Sequence, residues 1–212
     1  MSTASENKKI MTRAKIIHTA YGLFSKKGYH NTQVMDIVHA AGISAGTFYN
    51  HFKDKKRLYE VMTREDFEIM RIGLCDIRQS LDARDTGDRR LKVQESCRTY
   101  LEYVKNNPEQ VLLILRSSFG INTELDMDAW ESYSRCAKDI SNDIRVWESQ
   151  GIIKGANPDL IGHAIVGLSM QIAHAYLAQE PFTVEEAVGA MTTMILAIFN
   201  TYLTHKGEDH DP

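Results

Sequence analysis

The residues best suited to chemistry crowd into a short stretch near the N-terminus: Ser44, Thr47, Tyr49, Asn50 and His51, followed by Lys53, Lys55, Lys56 and Arg57. Hydroxyl, amide and imidazole groups hydrogen-bond phosphate oxygens and base edges, and lysines ion-pair with phosphate. An enzyme would instead need a nucleophile with its base, paired carboxylates or clustered metal ligands. The chain has no Gly-rich phosphate loop, no H-E-x-x-H and no G-x-S-x-G. An enzyme stays a rival reading, since scattered Asp, His and Cys can converge in space, and so does a helical adaptor that ignores DNA.

Charge favours the first reading. Residues 1–58 hold ten Lys or Arg against Glu6, Asp36 and Asp54, a net +7, so the rest of a chain whose total is −3 carries −10. A basic head on an acidic body is the asymmetry expected when one end meets phosphate. The three cysteines, Cys75, Cys97 and Cys136, are too far apart for a disulfide framework or a zinc site and read as buried thiols. No cofactor or metal is called for. No uninterrupted apolar run approaches the ~18 residues of a membrane span, and the polar start MSTASENKKI lacks a signal peptide's apolar stretch. The expected location is the cytoplasm.

The elements that must hold these residues read almost entirely as helix. From Arg13, the positions Ile16, Ile17, Ala20, Leu23 and Phe24 make one apolar face, and Gly28 ends the helix. Thr32 is placed to cap a second helix, with Val34, Ile37, Val38 and Ala41 at helical spacing. Gly42 permits a sharp turn, Ser44 caps a very short third helix and Asp54 caps a fourth. Beyond the polar DARDTGD loop, Asp88 is a candidate cap for a helix reaching about Lys105. Asn107-Pro108 and Asn157-Pro158 are start signals, GINTELD breaks the pattern before a helix from about Met127 to Gln150, and Thr183 with Glu186 forms a capping box. The expected fold is all-α with about nine helices. It comprises an N-terminal three-helix helix-turn-helix DNA-binding domain over 1–58, a C-terminal helical effector-binding and dimerisation domain over 59–206, and a disordered tail over 207–212.

Two helices meeting at a tight glycine turn, in VMDIVHAAGISAGTFYNHFKDKKRL, have the form of a helix-turn-helix. Phe48 and Phe52 lie four apart and can pack inward, which leaves Ala45, Gly46, Thr47, Tyr49, Asn50 and His51 on the other face. The segments GYHNT, DIVHAAGIS, GTFYNHF and KDKKRL resemble, with the spacing kept, the head of the TetR family of transcription regulators. Val38 stands where that pattern usually has Ala, and Phe48 where it has Leu. The resemblance implies phosphate contacts from Thr32, His51 and Lys55, with Gln33 and Ser44 beside them. It also implies recognition contacts from Thr47 and Tyr49, and base-facing positions for Ala45, Gly46 and Asn50.

The same resemblance implies a homodimer through the last two helices, a palindromic double-stranded operator, and a small-molecule effector that releases the DNA. Repression is the family's usual habit, and activation is the alternative. From the residues themselves, Leu160, Ile161, Ala164, Ile165, Leu168, Ile172 and Ala175 give a wide apolar surface, and Gly162 and Gly167 allow close helix approach. Part of that surface must be intramolecular core. Effector-site candidates are Tyr103, Arg116, Phe119, Trp130, Trp147 and His174, with Tyr176 a further aromatic. Against that, aromatic residues at helical spacing are usually core, Arg116 reads better as one half of a salt bridge than as a partner for an acidic effector, and His163 and His174 read best as satisfied core histidines.

Overall fold

The computed structural model describes residues 4–79, 83–117 and 123–204. Nine α-helices are found among these residues and no strand, only an isolated bridge between Ile153 and Leu203. The helices fall into two compact units, Met1–Glu68 with Asn107–Trp130, and Ile69–Asn106 with Glu131–Pro212. The contact division thus lies beyond residue 58 and returns a second stretch of chain to the first unit.

In the first unit, helix α1 (Ala4–Lys27) begins well before the expected Arg13. Residues 5–12 show no apolar period, which hid the helix, but they contain no Gly or Pro and several good helix formers. The apolar stripe of α1 buries Ile16, Ala20 and Phe24. Gly28, at φ +79°, ends it in the left-handed conformation, its N–H donating to the Phe24 carbonyl at 2.9 Å. Helices α2 (Val34–Ala41) and α3 (Ala45–Tyr49) follow, then α4 (Lys55–Gln79), which Asp54 caps by accepting from the Arg57 N–H at 2.7 Å. Ile37 and Val38 of α2 and Phe48 of α3 close on α1 together with Phe52, Leu58 and Met62. Leu113 of α6 (Pro108–Ser117) and Leu125 of α7 (Thr123–Ser149) complete this core. Helix α7 starts a turn earlier than the expected Met127.

In the second unit, α5 (Thr86–Asn106) packs most extensively on α9 (Val184–Tyr202), and α8 (Pro158–Leu177) lies against both. Asp85, not Asp88, caps α5, accepting the N–H groups of Gly87 and Asp88 at 2.7 and 3.1 Å. Both caps read at the later helix starts are present. Asn157 accepts from the Leu160 N–H at 3.1 Å, and Thr183 and Glu186 form a reciprocal box. The glycine at 162 is required by packing, since a Cβ there would sit 2.4 Å from the Ala137 carbonyl oxygen and 2.5 Å from Ser141 Oγ on α7. That close approach is intramolecular, whereas Gly167 meets nothing within 4 Å. Arg71 pairs with Asp139 and Arg78 with Asp143, each at 2.8 Å, tying α4 to α7 within this unit. Burial raises the Asp143 carboxyl above its ordinary range, while the Arg78 guanidinium pulls the other way.

Cys97 is buried and its thiol is pushed up to about 11 by that burial, which leaves it inert. Cys136 is half-buried and forms no disulfide among the described residues, and the Cys75 side chain lies outside them. His163 and His174 are exposed, correcting the expectation of core histidines. They fall on the α8 face opposite the buried Ile161, Gly162, Ile165 and Ala173. By length and composition α8 also meets the requirement for a membrane span, although only 22% of that stretch is buried. His163, Ser169, Gln171 and His174 interrupt what would otherwise be an apolar run from Leu160 to Leu177.

Candidate nucleic-acid interface

The interface is assembled by three successive turns, each with a local cause. After Gly28 the chain loops to Gln33, the N-cap of α2, whose N–H donates to Asp36 Oδ2 at 2.8 Å. This donation, reinforced by Lys27, holds the Asp36 carboxyl below its usual range. At the other end of α2, Gly42 takes φ +59°, and its N–H returns to the His39 carbonyl at 3.1 Å. Ser44 then caps α3, its Oγ accepting from the Thr47 N–H at 3.1 Å and lying 2.8 Å from Thr47 Oγ1.

Helix α3 is anchored from one side only. Phe48 is fully buried, Phe52 nearly so, and their ring centroids are 6.0 Å apart. The opposite side is open. Tyr49 is 55% exposed, its ring edge-on to Phe48 at 5.4 Å. Ser44, Gly46 and Asn50 are exposed, while Ala45, Thr47 and His51 are half-buried. Gly46 has no packing reason to be glycine, because a Cβ there would meet only Ser44 Oγ, at an ordinary 3.8 Å. Its helical conformation needs no positive φ either. A glycine that costs a helix about 1 kcal/mol relative to alanine, with no internal cause, fits a surface where something must come close.

Two of the residues expected at this surface have inward tasks. Thr32 is fully buried, and its hydroxyl donates to the Gly28 carbonyl at 2.8 Å. It therefore neither caps α2 nor offers its side chain to a phosphate, which corrects both expectations; the exposed cap residue is Gln33. Threonine is the usual capping type, so nothing local distinguished the two. Lys55, at the start of α4, donates to the carbonyls of Tyr29 and Thr32, each at 2.7 Å, with its ammonium 4.2 Å from the Tyr29 ring centroid. Burial lowers its pKa. Lys55 thus braces the α1–α2 loop and keeps one proton for an outside partner.

The extended start of α1 supplies residues that sequence reasoning missed. Ser5, Lys8, Lys9 and Thr12 line a cleft of about 450 Å³ together with Thr47, Asn50 and His51. Their i, i+3, i+4, i+7 spacing was a usable signal, but a polar one that an apolar-period reading passes over. Burial first, then the charges of Lys9 and Arg13, hold the His51 imidazole below its ordinary pKa.

The described effector-site candidates are divided between the two units. Tyr103 is half-buried on α5, His174 is exposed on α8, and the half-buried Trp147 packs edge-on to Phe199 at 5.4 Å in the second unit. Trp130, in the first unit, is 57% exposed. The Arg116 side chain and the whole of Phe119 lie outside the described residues, as does the 207–212 tail.

Comparison with known proteins bears on the same stretch. Residues 16–62 match the family described as bacterial regulatory proteins, tetR family. The chain is 35% identical over 66 residues to the HTH-type transcriptional repressor AcnR of Corynebacterium efficiens, covering 31% of this chain and 35% of that protein. It is 34% identical over 77 residues to the HTH-type transcriptional regulator AcrR of Shigella flexneri, covering 36% and 34%. These matches span about a third of the length of the curated relatives. Across the fold, a Syntrophomonas wolfei structure described as a TetR-family transcriptional regulator superposes with a TM-score of 0.77 at 20% identity, covering 90% of this chain and 95% of that one. The head over residues 16–62 thus carries the TetR family's pattern, and the helical architecture is shared with a solved structure described as a TetR-family regulator.

Proposed function

We propose that the protein is a transcription regulator that binds a palindromic operator as a homodimer and releases it when a small-molecule effector binds, acting as a repressor. The observation that carries the reading is the one-sided anchoring of α3: Phe48 and Phe52 are buried, while Tyr49, Asn50 and Gly46 face solvent on a head of net +7. A helix held this way can enter a major groove, with Thr47, Tyr49 and Asn50 turned toward the DNA and Gln33, Ser44, His51 and the remaining proton of Lys55 turned toward phosphates. Because Ala45 and Gly46 bring no donor, base readout rests on few groups and leans on DNA shape.

The dimer reading is supported by α8 and α9. After Asp159, α8 has no Asp, Glu, Lys or Arg, yet it exposes Leu160 at 67%, with Ala164 and Gly167 also outward. Helix α9 exposes Gly189, Ala190, Met194 and Ala197 on one face. Small and apolar residues in such a stripe suit close packing against a second copy, and a two-fold dimer reads half-sites about 34–36 Å apart or a multiple of that. An effector would act by favouring a head spacing that no longer matches two successive grooves.

The test is selection from a randomised duplex pool with the purified protein. The reading requires a palindromic consensus bound two protomers per site. Recovery of no enriched sequence, or of a single unpaired half-site bound by a 24.1 kDa monomer, would contradict it.

A further inference from the structure

We infer that the cleft between the start of α1 and α3 seats a backbone phosphate of the bound duplex, held by Lys8 and Lys9 and adjoining the contacts of the recognition helix. The inference rests on the DNA-binding reading and adds to it a contact from an element outside the helix-turn-helix.

Two helical faces create the cleft. On α1, Ser5, Lys8, Lys9 and Thr12 occupy one side over the first two turns. Opposite them stand Thr47, Asn50 and His51, again at i, i+3, i+4 spacing. The lining is therefore two ammonium groups and two hydroxyls from α1, and a hydroxyl from α3 with an amide and an imidazole from the turn that follows it, with no carboxylate in it. A phosphate diester asks for this set of donors and cations.

The charge here is uncompensated, unlike that of four other cations of the head. Arg13 is paired with Glu65, Lys27 with Asp36, and Lys56 and Arg57 with Glu60. Among the described residues neither Lys8 nor Lys9 has an ion-pair partner. Burial lowers the His51 pKa first, and the charges of Lys9 and Arg13 lower it further. Thr47 and Asn50 belong both to the cleft and to the exposed side of α3. An anion in the cleft is thus contiguous with whatever α3 touches, which favours a phosphate of the same duplex over a separate small ligand.

The experiment is a fluorescence-anisotropy titration of the full-length protein on the tightest duplex recovered from a randomised pool, at salt concentrations from about 50 to 200 mM. Wild type is compared with Lys8→Gln/Lys9→Gln, Lys8→Arg/Lys9→Arg and, as a control at the far end of the same helix, Lys26→Gln. Glutamine is a good helix former, so α1 is retained. The slope of log K against log salt should fall in magnitude by about 1 in the glutamine double variant, the loss of one phosphate contact. It should be restored by arginine and unchanged by Lys26→Gln, with the preference over a scrambled duplex unaltered. Wild-type binding with the same slope in the glutamine variant overturns the phosphate seat alone, as does a change in preference without a change in slope. Failure of the wild type to bind any duplex overturns the DNA-binding reading and this inference with it.

Discussion

The ammonium of Lys55 donates to the main-chain carbonyl of Thr32 at 2.7 Å, fastening the first residue of α4 to the loop that precedes α2. A second bond to the Tyr29 carbonyl, also 2.7 Å, and the Tyr29 ring 4.2 Å away complete the seat. The loop carbonyls have no helix to satisfy them, so the lysine answers a backbone need before it answers any ligand. Lys55→Gln should therefore lower the stability of the folded protein by about 1–2 kcal/mol, read by chemical denaturation without DNA. A residue serving only phosphate would leave that midpoint unmoved.

Gly46 separates stability from function in the opposite sense. It is helical, exposed, and has room for a methyl group. Gly46→Ala is expected to raise stability by up to about 1 kcal/mol while weakening DNA binding, because the added Cβ stands where backbone and duplex approach. A thermal melt and a gel-shift titration on the same preparation check both halves, and unaltered affinity would remove the close approach from the account.

At Gly162 the obstacle is internal. A Cβ would lie 2.4 Å from the Ala137 carbonyl oxygen, a main-chain atom that cannot swing aside. Gly162→Ala should destabilise by about 1–3 kcal/mol, whereas Gly167→Ala, with open space around it, should not. Denaturation midpoints of the two variants should separate clearly.

Acid provides a further test through Asp36. Its folded-state pKa lies below the ordinary 3.8 because it accepts the Gln33 N–H. The stabilisation is therefore complete above that ordinary value and is lost as pH falls through the lower folded-state value. Asp36→Asn should be less stable than the parent at neutral pH, and the gap should close in strong acid. A gap that stayed constant down to low pH would show that the carboxylate charge is not what holds the turn.

Much of this was legible locally. Gly28, Gly42, Ser44, Asn157 and the Thr183–Glu186 pair are positions where one residue's own chemistry satisfies a nearby main-chain group, and the chain order displays them. The start of α1 was hidden because residues 5–12 bury nothing and so leave no apolar period. The exchange of Thr32 for Gln33 as cap was hidden because the Thr32 hydroxyl is spent on Gly28, a bond that depends on how the loop closes. His163 and His174 were misread because an apolar helix with two outward faces gives no polar stripe to mark the outside. At the candidate interface, the residue types on α3 were readable, but the neighbours that α1 brings to them through folding were not.

The central claim is that the exposed side of α3 reads duplex DNA. It is tested most directly by titrating the selected duplex with wild type, Tyr49→Phe and Asn50→Ala at fixed salt, with sedimentation confirming an unchanged oligomer. The account predicts that both variants keep the wild-type assembly and lose affinity, the Asn50 variant also losing preference over a scrambled duplex by about 1–3 kcal/mol, the range for a direct base contact. Wild-type affinity and preference in both variants would contradict it.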